Sequence, residues 1–196
     1  RNMNALDATS PATLSVDKRA ITKVSLVILP LDITGKKLCL YFHKEGPHQG
    51  KYLGVWGSAT KGETVLQAAH RILKDEASLE SDAIVVVGMN SFIQPVDDEG
   101  SVEEWLEYSV VARGVRGTPK STSALEPSWV DVEAIPYDKM WADDFHWFPP
   151  ALQGTPFVAV WQFVNSQDNK MEQYDIRHVA QEELQRRTAA AEQLFL

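Results

Sequence analysis

A loop that leads into an amphipathic helix, residues 57–79, constrains the fold of this chain most. It reads GSATKGETVLQAAHRILKDEASL, with a helical pattern over 63–77. The apolar stripe of this helix consists of Val65, Leu66, Ala69 and Leu73. Positions 72, 75 and 76 share another face, where three carboxylates would suit Mg²⁺. The residues there are Ile72, Asp75 and Glu76. The two acids therefore either hold one hydrated Mg²⁺ weakly or lie in an exposed last turn without a ligand.

Apolar runs around this segment predict a strand-rich fold. The predicted strands cover 24–31, 38–43, 83–88, 105–113, 129–132 and 157–163. The first two should form a hairpin, because 32–37 (DITGKK) is typical of a turn. A short helix is expected around 137–144 and a second from Tyr174 onward, with 96–104 as a polar loop. The pattern predicts an α/β sandwich. Residues 1–20 should form a flexible leader, 21–180 one domain, and 181–196 a helical extension.

Composition and charge limit the partners. The formal charge is −8 without a Lys/Arg cluster, which argues against nucleic-acid binding. No apolar run approaches the roughly 18 residues that would span a bilayer. The single cysteine, Cys39, cannot form an intramolecular disulfide and fits a reducing compartment. A cytoplasmic protein with a small-molecule substrate is predicted, and the oligomeric state stays open.

The segment 57–79 resembles the Nudix box. Gly57, Glu63 and Arg71 stand at the box spacing, followed by ILKDEASL. The second half of the chain is also similar to the MutT-like branch of this family, whose members hydrolyse oxidised purine nucleoside triphosphates. That similarity is carried by EPSWVDVEAIPYDKMWADDFHWFPPALQG at 126–154, GTP at 117–119 and FVAVWQF at 157–163. It covers roughly residues 22–180 and implies a Nudix fold, a mixed β-sheet sandwich with flanking helices.

The resemblance implies a metal site in which this chain departs from the family pattern. Asp75 and Glu76 match metal-binding carboxylates, and Glu76 matches the most critical one. Ile72 replaces a third ligand, and Ala124 replaces a further glutamate that helps to bind metal. Ser78 stands in place of the box glycine. These departures predict that Mg²⁺-dependent diphosphate hydrolysis is lost or weak. The matching pair Glu63 and Arg71 is expected to tie the loop to the helix.

The resemblance also implies a base-binding cleft. The predicted substrate-binding residues are Trp141, Phe92, Leu53, Trp105 and Trp56. Leu53 replaces an asparagine that hydrogen-bonds the base, and Trp105 replaces a methionine. Asp143 and Asp144 match the acids that hydrogen-bond an oxidised purine. Two close buried carboxylates share a proton, so one can act as a general acid and the other as a base. They can instead cap a turn after Trp141.

Three functions follow from these patterns. The favoured hypothesis is a repurposed Nudix-fold enzyme that needs no cofactor. It would isomerise or cyclise an apolar small molecule in biosynthesis, with Asp143, Asp144 and Glu76 as catalytic residues. The alternative is an Mg²⁺-dependent hydrolase of oxidised purine nucleotides, with Asp75 and Glu76 as the metal ligands. A non-catalytic ligand-binding module is the third.

Overall fold

The computed structural model describes residues 21–95, 102–165 and 169–196. The predicted leader, and residues 96–101 of the predicted polar loop, lie outside these ranges. The strands are β1 Ile21–Pro30, β2 Lys37–His43, β3 Tyr52–Leu53, β4 Val55–Ser58, β5 Leu79–Glu80, β6 Ala83–Pro95, β7 Val102–Arg113, β8 Arg116–Gly117, β9 Leu125–Asp131, β10 Phe157–Phe163 and β11 Met171–His178. The helices are α1 Val65–Ala77, α2 Asp144–Leu152, α3 Gln181–Phe195 and a 3-10 turn Tyr137–Lys139.

A six-stranded mixed sheet forms the centre of the fold. Its order is β11-β10-β6-β7-β1-β4, with β1 parallel to β7 and β10 parallel to β6. A three-stranded antiparallel sheet, β3-β2-β9, and the short pair β5-β8 complete the strands. No helix in the described ranges has the length and apolarity that crossing a bilayer requires. The predicted α/β sandwich with flanking helices is confirmed.

The predicted hairpin between β1 and β2 is wrong, although the turn between them forms. The Asp32 Oδ1 atom accepts the N–H groups of Lys36 and Lys37, at 3.0 and 3.1 Å. Beyond an isolated bridge between Leu31 and Leu38, the strands diverge into different sheets. Both edges of β1 are already paired, with β7 on one side and β4 on the other. No hydrogen-bonding edge of β1 is left for β2.

The large sheet separates two apolar layers. Leu26 and Ile28 of β1 face the layer that contains α1 and α3, whereas Val27 and Leu29 face the layer that contains α2. This alternation follows from the two-residue period of a strand, and both sets are buried because both faces are covered. The large sheet thus lies between the box helix α1 and helix α2, at whose start the predicted acid pair lies.

Helix α1 forms where its pattern predicts. Thr64 caps it, accepting the N–H of Gln67, whose side chain accepts the N–H of Thr64 in return. The predicted stripe is buried except for Leu66, which is 46% exposed. Ser78 ends the helix with φ at 56°, a left-handed conformation that favours glycine. This geometry explains why the family pattern has a glycine there.

The C-terminal part differs from its prediction. The residues from Tyr174 to His178 belong to strand β11, and the helix begins only at Gln181. Pairing with the whole length of β10 supplies β11 with hydrogen bonds that a helix would otherwise supply. The helix predicted around 137–144 is likewise displaced, because α2 begins at Asp144 and the earlier part forms a 3-10 turn. Both errors concern where a partner element lies, which local periodicity does not encode.

Candidate functional site

A cavity of about 240 Å³ lies between the large sheet, the β3–β4 segment and α2. All five predicted substrate-binding residues line it: Leu53, Trp56, Phe92, Trp105 and Trp141. Asp143 and Asp144 line it as well. The structure thus brings predicted residues from five separate elements together in one cleft. Additional lining residues that sequence reasoning did not single out are Lys23, Val27, Pro47, His48, Gly54, Gln94, Glu107, Trp147, Phe163 and Asn165.

Aromatic rings form the walls of this cavity. Phe92 and Trp105 stack with centroids 5.2 Å apart and planes 12° from parallel. Phe163 packs edge-on against Trp141 at 6.1 Å. Phe92 pairs directly with Trp105 across β6 and β7, so the sheet register fixes this wall. Flat faces of this kind suit stacking with a planar ring.

The predicted acid pair lies at the start of α2, buried at 4% exposure for Asp143 and 6% for Asp144. The Nε1–H of Trp147 donates to Asp143 Oδ2 at 3.0 Å, and the backbone N–H of Trp141 donates to Asp144 Oδ2 at 3.0 Å. Asp144 thus closes the turn after Trp141, as one interpretation of the sequence expected. Both residues also line the cavity, so this structural role leaves them beside the space that a ligand would occupy.

A third acid, Glu107 of β7, lies with this pair and was missed in the sequence. Its Oε2 atom accepts the Nε1–H of Trp56 at 3.0 Å and the hydroxyl of Ser25 at 3.1 Å. The signal was present, because Trp105 and Glu107 are two residues apart on a strand and therefore share a face. Once Trp105 is placed in the cleft, Glu107 must follow it.

Burial raises the pKa of all three acids, and the charges of neighbouring carboxylates add to this rise for Glu107 and Asp144. Burial, followed by the charge of Asp143, raises the pKa of Glu107 to about 7. Burial raises the pKa of Asp143 to about 6, against the donated hydrogen bond of Trp147. Burial, then the charges of Asp143 and Glu107, raise the pKa of Asp144 well above its ordinary value. The cluster can therefore both donate and accept hydrogen bonds near neutral pH.

Lysine and histidine nitrogens lie beside the tryptophans of the cavity. Lys23 is exposed, and its Nζ atom lies 4.8 Å from the ring centroid of Trp105. The Nζ atom of Lys51 lies 4.7 Å from the ring centroid of Trp141. Burial lowers the pKa of His48 to about 4, and its Nδ1 atom accepts the Nε1–H of Trp141 at 3.0 Å. His48 is thus neutral near pH 7, and the positive charge beside these tryptophans comes from the two lysines.

The box loop is tied to helix α1 as the resemblance implies. Arg71 donates to both carboxylate oxygens of Glu63, at 2.6 Å from Nε and 2.8 Å from Nη2. Its Nη2 atom also donates to the carbonyl of Ser58 and the hydroxyl of Thr60. The hydrogen bonds from Arg71 lower the pKa of Glu63 to about 2. This two-pronged ion pair fixes the loop against the helix.

The metal-side residues lie apart from the cavity lining. Asp75 and Glu76 are exposed on α1, whereas Ile72 is 1% exposed and lies beneath Gly57 of β4. A Cβ atom on Gly57 would lie 2.8 Å from Cγ1 of Ile72, so this contact is tight. Ala124 presents no carboxylate, and its carbonyl accepts the N–H of Lys44 at 2.8 Å. The helix face thus offers two carboxylates.

The carboxylates of Asp75 and Glu76 suit only one of the usual arrangements for binding Mg²⁺. Across residues 21–95, 102–165 and 169–196, no three His, Cys, Asp or Glu side chains group closely enough to hold a metal ion. A preformed cage for several ions is therefore absent from this part of the chain. Mg²⁺ is commonly held by one or two carboxylates together with substrate phosphates. Asp75 and Glu76 fit that second arrangement.

Comparison with known proteins gives the chain its family. The NUDIX domain family matches residues 22–150. An oxidized purine nucleoside triphosphate hydrolase of Danio rerio is 33% identical over 138 residues, 70% of this chain and 86% of that protein. A protein of the same name from Mus musculus is 32% identical over 154 residues, 79% of this chain and 95% of that protein.

Solved structures show the same fold at low sequence identity. A MutT protein of Bacillus halodurans has a TM-score of 0.67 and 16% identity, covering 79% of this chain and 97% of that chain. A MutT structure, described for Aliivibrio salmonicida and Vibrio cholerae, has a TM-score of 0.51 and 10% identity. The match covers 67% of this chain and 97% of that chain. Family match, curated relatives and fold agree: the chain belongs to the Nudix family.

Proposed function

We propose that this protein is a Nudix hydrolase that cleaves a nucleoside triphosphate carrying a modified purine base. The observation that carries the proposal is the composition of the cavity, which combines aromatic walls with a cluster of acids, while the ammonium groups of Lys23 and Lys51 lie over two of the wall tryptophans. A planar base with N–H donors suits the acids, and an anionic phosphate tail suits the lysines. Relatives at 32–33% identity bear the name of oxidized purine nucleoside triphosphate hydrolases, which supports the same class of substrate. A small-molecule substrate and a cytoplasmic location remain part of the proposal.

The base would bind by stacking and by hydrogen bonds to the acids. Trp141 and the stacked pair Phe92 and Trp105 provide flat faces. The Oδ2 atoms of Asp143 and Asp144 each accept a protein donor at 3.0 Å. The base would bind through the Oδ1 atoms. A protonated Asp144 can donate to a ring carbonyl while an ionised Asp143 accepts from a ring N–H.

The phosphate chain would extend from the cavity toward the exposed acids of α1. Glu76 and Asp75 would hold Mg²⁺ together with the phosphates, and the ion would supply charge neutralisation and a more acidic bound water. Arg71 and Glu63 keep the loop in place beside these acids. Since Ile72 and Ala124 remove two of the family's acidic positions, we expect turnover well below that of a complete box.

The test is a turnover assay with Mg²⁺ or Mn²⁺ and a panel of nucleoside triphosphates that includes 8-oxo-dGTP. We expect turnover above background that is lost in Glu76→Gln and weakened in Trp141→Ala. Glu126→Gln makes the same chemical change at a surface ion pair with Lys44 and serves as the matched control. No turnover by the folded wild type with any member of the panel would refute the proposal.

The metal-free acid–base enzyme is a second candidate, favoured by one observation. The three buried acids have raised pKa values, as expected for proton transfer near neutral pH. Such an enzyme would work in the presence of EDTA and lose activity in Asp144→Asn while keeping it in Glu76→Gln. The opposite result, activity that needs both the metal and Glu76, would refute this second candidate.

A further inference from the structure

Glu107 gives the acidic end of the cavity a third carboxylate that the hydrolase proposal does not use. Both protein donors to this side chain, Trp56 and Ser25, bond to the same oxygen, Oε2. Among the described residues, no donor bonds to the Oε1 atom of Glu107. This atom is also not one of the fully buried polar atoms that lack a partner, so it is accessible. Glu107 is therefore held in place by one oxygen and presents the other to the cavity.

The charge of this acidic end is not balanced by the protein. None of the ion pairs among the described residues involves Glu107, Asp143 or Asp144. The charge of Lys23 lowers the pKa of Glu107. The ammonium group of Lys23, however, lies over Trp105 and makes no ion pair within 4.0 Å with any described residue. His48, which also lines the cavity, is neutral. A positively charged ligand among the three acids would therefore stabilise their ionised forms, which no ion pair in the described part of the chain does.

The walls have the chemistry that attracts such a ligand. Indole faces bind cations through their negative π clouds, and the attraction grows where water is excluded. Two of the tryptophans already carry a lysine ammonium, Lys23 over Trp105 and Lys51 over Trp141, at 4.8 and 4.7 Å. A flat cation would fit this site, because the acids would bind its edge and the rings would stack on its faces.

We propose that Glu107 completes a three-carboxylate end that selects a planar nitrogen heterocycle with a cationic, amidinium-like edge, such as an N1-alkylated adenine, over a neutral ring of the same size. N1 of such a ring carries the alkyl group, so the exocyclic amino group, which shares the positive charge, supplies two N–H donors for Glu107 and the acid pair. The inference rests on the proposed function only in placing the base of the substrate in this cavity.

The test compares two isomeric nucleosides that differ in charge. At pH 7.5, 1-methyladenosine is a cation and N6-methyladenosine is neutral. We measure the Kd of each by quenching of tryptophan fluorescence and by calorimetry. The wild type should bind the cation at least about tenfold more tightly, the effect of one desolvated charge-assisted contact. In Glu107→Gln the ratio should fall below about threefold, with little change in the affinity for the neutral isomer.

Two controls separate the loss of this contact from a loss of folding. Glu126→Gln, which is outside the cavity lining, should keep the wild-type ratio, and thermal unfolding should show that each variant is folded. Equal affinity for both isomers, weak binding of both, or an unchanged ratio in Glu107→Gln would overturn the inference. The nucleosides carry no phosphate, so this test does not depend on hydrolysis. A retained cation preference without triphosphate turnover overturns only the hydrolase proposal, and turnover without the preference overturns only this inference.

Discussion

Replacing Ile72 by glutamate would restore the family's box residue, and the structure predicts that it destabilises the protein. Ile72 is 1% exposed and belongs to the apolar cluster between α1 and the large sheet. Burial of an isoleucine side chain contributes about 1.5–3 kcal/mol, which the substitution removes. A buried carboxyl without a partner costs about 1–3 kcal/mol more. The free energy of unfolding should therefore fall by about 2.5–6 kcal/mol in Ile72→Glu.

The assay is urea unfolding followed by tryptophan fluorescence at several pH values. Ile72→Val, which only shortens the side chain, should lose about 1 kcal/mol. Burial raises the pKa of the introduced carboxyl above its value in the unfolded chain, so the folded state retains a proton that the unfolded state releases. The penalty should therefore grow from pH 5 to pH 8 in Ile72→Glu and stay constant in Ile72→Gln.

A loss below about 1 kcal/mol in Ile72→Glu would refute the reasoning, since a buried substitution of this kind cannot be that mild. It would mean that the new carboxylate reaches solvent on the face shared with Glu76. An accompanying rise in Mg²⁺-dependent turnover would then show that this face still accepts a complete metal site.

Three further predictions concern other charged contacts. Burial raises the pKa of Asp144 in the folded state, so ionising this carboxyl destabilises the folded protein. This loss of stability is absent below pH 3.8 and grows toward neutrality. Asp144→Asn should therefore gain stability relative to wild type at pH 7.5 but not at pH 4. Glu63 has its pKa lowered to about 2 by Arg71, so its contribution is present above pH 4.5 and lost toward pH 2; Glu63→Gln should flatten that part of the unfolding curve. The Oε1 atom of Glu192 accepts the N–H of Val65 at 2.7 Å, so Glu192→Ala should cost about 1–2 kcal/mol and accelerate hydrogen exchange at that amide.

Much of the fold could be predicted because local patterns encode it. The strand β10 and helix α1 lie close to their predicted ranges, since each carries a clear two-residue or 3.6-residue apolar period. The predicted binding residues line one cavity because the resemblance to the Nudix family carries information about tertiary structure that periodicity lacks. Their roles in binding and catalysis remain predictions.

The errors share one physical cause, which is that pairing partners are distant in sequence. Residues from Tyr174 to His178 look helical alone and form a strand because β10 offers an unpaired edge. Strand β2 cannot join β1, since β7 and β4 already occupy both of its edges. Neither outcome is visible until the sheet order is known.

The sequence by itself determined the family resemblance, the box loop and helix, and the aromatic and acidic residues of the cleft. Only the tertiary structure decided what surrounds them. It buries Ile72 beneath Gly57, leaves Asp75 and Glu76 exposed on the box helix, and brings Glu107 beside the acid pair across the sheet. Side-chain type and spacing are local properties, whereas burial and the meeting of like charges depend on how separate strands and helices pack together.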